Sequence, residues 1–73
     1  MTDQLPIAQL PTLDVEVKLI GEDGNAFLIL GSVEKAMRRA GIDQETRDLY
    51  NEQATSGDYD HLLAVTYQMV DIV

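Results

Sequence analysis

Between Leu13 and Ile20 the chain reads LDVEVKLI, with apolar residues at 13, 15, 17 and 19 alternating against Asp14, Glu16 and Lys18. A period of two with a single apolar face predicts a strand, and a lysine among the acids suits an edge strand. Downstream the period lengthens. Ala26, Leu30, Val33, Met37 and Ala40 follow one another at steps of four, three, four and three, the stripe of an amphipathic helix over 26–40. Phe27 and Ile29 widen that stripe at its start, so the opening turns are expected to be the most buried part of the domain. Gly21, Glu22, Asp23 and Gly24 supply a turn, Asn25 an N-cap, and Gly41 a C-cap.

The second half continues in helical periods. Asp43 opens a helix from Gln44 to about Thr55, whose apolar side is thin: Leu49, Tyr50 and Ala54. It reads as a surface helix held by tertiary contacts. Gly57 is placed to stop it, and Asp58 to start a third helix, with Tyr59, Leu62, Leu63 and Thr66 on one face. Val70 and Ile72 alternate with Asp71, which predicts a short final strand; a helical run to the end is the alternative. The expected class is therefore α+β: strand, three helices, strand, with a short two-stranded sheet packed on the helices. One strand with an otherwise helical remainder is the alternative. Pro6 and Pro11 set residues 1–12 apart as a flexible, extended arm ahead of a single domain over 13–73.

Length changes what this pattern means. A chain of 73 residues buries only about 60% of its unfolded surface. With no cysteine there is no disulfide to compensate, so the core closes by packing alone or is shared with a second copy in a homo-oligomer. Charge narrows the partners. Thirteen acids against five bases give a net charge of −8, which disfavours nucleic acid and anionic membranes, since each phosphate contact requires a cation. The first twenty residues have neither a basic start nor an unbroken apolar run, and no stretch reaches the length of a membrane span, so a cytoplasmic location is expected.

Candidate chemistry is sparse. Asp23, Asn25, Asp58, Asp60 and the single histidine, His61, are the one cluster of ligand-type side chains, but the spacing is not that of a calcium loop, and Asn25 and Asp58 are accounted for as caps. No metal site or cofactor is expected. There is no cysteine nucleophile, Ser32 and Ser56 lack a nucleophile-elbow context, and the glycines fit no phosphate loop, so no catalytic residue is assigned. The one basic patch is Lys35, Arg38 and Arg39 at the end of the first long helix, where cations complement the helix dipole. Gly31, inside that helix, costs about 1 kcal/mol relative to alanine, and a close approach of another backbone, from the strand or a subunit, would explain it. These four residues are the candidate ligand- or partner-binding positions.

Two strings, Asp23-Gly24-Asn25-Ala26-Phe27 and Ala54-Thr55-Ser56-Gly57-Asp58-Tyr59-Asp60-His61-Leu62-Leu63, flank an Arg-Arg-Ala-Gly helix end. Over about residues 15–73 the chain resembles a widespread family of small uncharacterised proteins encoded in bacteriophage and bacterial genomes. The resemblance implies a phage or prophage setting and no particular chemistry. The expected function is that of a small acidic, non-enzymatic interaction protein acting on a protein partner, such as a host protein. The alternative is an oligomer that sequesters a small anion or nucleotide.

Overall fold

The computed structural model describes residues 6–18 and 25–73. The expected turn at 21–24, the strand end at Leu19 and Ile20, and residues 1–5 lie outside the described residues. Five elements follow a single 3-10 turn at Ile7–Gln9: β1 (Glu16–Val17), α1 (Ala26–Arg39), α2 (Gln44–Ala54), α3 (Tyr59–Met69) and β2 (Asp71–Ile72). This is the expected α+β order. β1 and β2 pair in parallel, Glu16 opposite Asp71 and Val17 opposite Ile72, and the three helices make the crossover that parallel pairing requires.

Each helix starts where a side chain can accept from its free N–H groups. Leu28 N–H donates to Asn25 Oδ1 at 3.1 Å, Thr46 N–H to Asp43 Oδ1 at 3.0 Å, and His61 N–H to Asp58 Oδ1 at 2.9 Å. Hydrogen bonds from the Thr46 side chain and backbone hold the Asp43 carboxyl below its ordinary value. Gly41 closes α1 with φ of +80°, as a C-cap glycine should.

The core lies between α1, the sheet and the α2–α3 pair. Val17 of β1 and Val15 just before it are buried on the side of α1, whose buried residues are Ile29, Val33 and Met37. β2 lies against α3, which buries Leu62, Val65, Thr66 and Met69. α2 packs most extensively on α3 and buries Tyr50, Gln53 and Ala54.

Three expectations are corrected. First, the start of α1 is not its most buried part, since it carries the exposed large apolar side chains of the helix: Phe27 is 85% and Leu28 48% exposed. Phe27 lies about 200° around the helix from Ile29, so a helix packed on one side cannot bury both. Ala40, expected in the stripe, is an exposed cap residue. Second, the proline-containing arm is neither extended throughout nor separate over residues 6–12. Pro6, which has no N–H to satisfy, precedes a 3-10 turn closed by Leu10 N–H on Ile7 O at 3.0 Å, and Leu10 is 3% exposed in the core. Third, Gly57 is not in the left-handed region; Gly41 alone among the described residues has positive φ. A Cβ on Gly57 would stand 2.9 Å from His61 Cβ, so glycine there permits close approach of α3's first turn.

Candidate functional site

The ladder leaves one edge of β1 open. Asp71 N–H donates to Val15 O at 2.8 Å and Val73 N–H to Val17 O at 3.0 Å. With Glu16 opposite Asp71, it is Val15 and Val17 whose backbone groups face β2, so the N–H and C=O of Glu16 point the other way. Among the described residues no strand pairs with that side of β1.

A groove of about 760 Å³ lies between the strand segment 14–18 and one flank of α1, and Val73, just after β2, also lines it. Asp14, Glu16 and Lys18 line it from the strand; Ser32, Lys35, Ala36 and Arg39 line it from the helix. The helical residues recur at three and four positions, so they form one stripe beside the stripe that faces the core. Three of the chain's five cations, Lys18, Lys35 and Arg39, thus line one recess, together with the carboxylates of Asp14 and Glu16. None of the three makes an ion pair with a described residue.

The four candidate positions separate. Lys35 and Arg39 line the groove. Arg38 does not: its Nε lies 3.5 Å from Glu34 Oε1, and Arg47 Nε approaches the same oxygen at 3.7 Å. Glu34 thereby ties α2 to α1. Gly31 is exposed, and a Cβ built on it would meet nothing within 4 Å, so no backbone among the described residues explains the glycine. From sequence Lys18 pointed to an edge strand but not to a binding position. The alternation over 13–18 marks an edge strand, but which side of it is paired depends on where β2 falls.

The ligand-type cluster resolves into local structure. His61 Nε2 lies 2.8 Å from Gln53 O and 3.1 Å from Ser56 Oγ, and Ser56 Oγ donates to the same carbonyl at 2.7 Å. The ring thus ties the start of α3 to the end of α2, and it does not line the groove. Asn25 and Asp58 act as caps; Asp23 lies outside the described residues. Comparison with protein-family models, curated proteins and solved structures found no match for this chain. No helix among the described residues is long and apolar enough to cross a membrane.

Proposed function

We propose that this chain is a non-enzymatic protein-interaction module that accepts an extended segment of a partner protein as a third strand on β1. The observation that carries this is the open edge of β1, where Glu16 presents both backbone groups away from β2 and the segment 14–18 lines the groove. Strand addition takes its affinity from main-chain hydrogen bonds and its selectivity from the side chains flanking the edge. A two-stranded sheet is weak by itself, so a third strand would also stabilise the domain. In a phage or prophage setting, as the resemblance implies, the partner would be a host protein.

Glu16→Pro tests this selectively. The lost N–H is one that the β1–β2 ladder does not use, and proline is accepted on edge strands. Short random peptides selected on the natural chain should bind Glu16→Pro roughly tenfold more weakly, the loss of the main-chain hydrogen bond from that N–H, while its circular dichroism stays unchanged. Selected peptides that bind both proteins equally would remove strand addition from consideration.

A further inference from the structure

We infer that the segment added to β1 is acidic on the face turned toward α1, with carboxylates at alternate positions that meet Lys35 and Arg39. This rests on the strand-addition reading and specifies its ligand. A strand beside β1 would send every second side chain toward the helix flank formed by Ser32, Lys35, Ala36 and Arg39. Alternate strand residues are about 6.6–6.8 Å apart, and residues one helical turn apart, as Lys35 and Arg39 are, rise by about 6 Å. The two repeats match closely enough for an acid-x-acid pair to address both cations. Ser32 and Ala36, small and on the same flank, leave room for the intervening chain. The cations are unpaired among the described residues, although the chain carries thirteen acids. On the opposite face of the added strand, Asp14, Glu16 and Lys18 alternate along β1, so neutral or mixed side chains are accommodated there.

A second copy of this chain fits the groove less well. In antiparallel two-fold pairing of two β1 edges, residues whose backbone groups face the edge must oppose one another. Centred on Glu16, that places Glu16 against its own copy, and like charges directly opposite are destabilising. The same pairing turns Val15 and Val17 of the copy toward α1, so Lys35 and Arg39 receive no carboxylate from it.

The test is an NMR titration of the full chain with two capped peptides, Thr-Glu-Thr-Glu-Thr-Glu-Thr and the same peptide with glutamine for glutamate. The glutamate peptide should shift the backbone amides of Glu16 and Lys18 together with the side chains of Lys35 and Arg39. It should bind roughly tenfold more tightly than the glutamine peptide at low salt, as two exposed ion pairs can supply. The preference should vanish in Lys35→Gln/Arg39→Gln, whose exposed side chains leave the core intact. Equal binding of both peptides at Glu16 and Lys18 would overturn the acidic assignment and leave strand addition standing. Shifts confined to Lys35 and Arg39 would overturn both, since the peptide would then be held by charge alone. No binding of either peptide would overturn the acidic assignment, while the Glu16→Pro comparison still decides strand addition. Concentration-dependent self-association abolished by Glu16→Pro would put a second copy in the groove and overturn the assignment of an acidic ligand.

Discussion

The most constrained polar contact in the core joins α2 to α3 through two hydroxyls. Thr66 Oγ1 donates to Leu62 O at 2.8 Å, which uses its only proton. Tyr50 Oη, 2.7 Å away, must therefore be the donor to Thr66. Both residues are almost fully buried, and an unmade hydrogen bond there carries the full desolvation penalty. Tyr50→Phe should cost about 1 kcal/mol in urea unfolding near neutral pH. Burial pushes the Tyr50 hydroxyl above its ordinary value, partly offset by the bond to Thr66. The proton is thus held more tightly folded than unfolded. The associated stability is complete below about pH 10 and is lost as pH rises through the folded value. The natural chain should therefore lose stability above that pH more steeply than Tyr50→Phe. Identical alkaline limbs would mean that Tyr50 is not the group responsible. Tyr50 was legible as a core candidate, whereas Gln53, 2% exposed on the same helix, was not. A glutamine within a polar run reads as surface until α3 is laid over it.

At the scale of elements, α1 shows how far periodicity reaches. Its bounds, its Asn25 cap and its Gly41 stop follow from local rules, because capping and left-handed backbone are decided within a turn or two of chain. Its buried face does not. The stripe through Ile29, Val33 and Met37 is buried, while Phe27 stands 85% exposed. An apolar run longer than one face can be rotated several ways, and only the position of β1 and the α2–α3 pair selects one. Gly31 marks the solvent side of that choice. With open space at its missing Cβ and helical backbone around it, Gly31→Ala should stabilise the chain by about 1 kcal/mol, read as a higher urea midpoint. Destabilisation instead would show that another molecule packs on Gly31. The strands are shorter than the alternation implies: β1 is Glu16–Val17 because β2 offers only Asp71–Ile72 to pair with it.

Across the whole molecule, the segment ahead of the expected domain is part of the fold. Leu10 fills the core, Gln68 Nε2 donates to Leu10 O at 3.1 Å, and Thr12 Oγ1 donates to Gln68 O at 3.0 Å. The segment is thereby clamped on the last turn of α3. In a chain this small each buried leucine is a large share of the margin. Leu10→Ala should cost about 2–4 kcal/mol in urea unfolding; an unchanged midpoint would return residues 6–12 to the status of a loose arm. Charge is likewise arranged only in three dimensions. Arg38 and Arg47 are spent on Glu34, while Lys18, Lys35 and Arg39, separated by up to 21 positions in sequence, share one groove.

The order of the elements, the helix N-caps and the α+β class were determined by the sequence itself, because they depend on hydrophobic period and on side chains that bond to backbone a few residues away. The docking of residues 6–12, the burial of Gln53 and the exposure of Phe27 were decided by tertiary structure alone. So were the parallel register of β1 with β2 and the open edge beside Lys35 and Arg39. Each depends on which distant element occupies a given face, and that is settled by how the helices and strands share one small core.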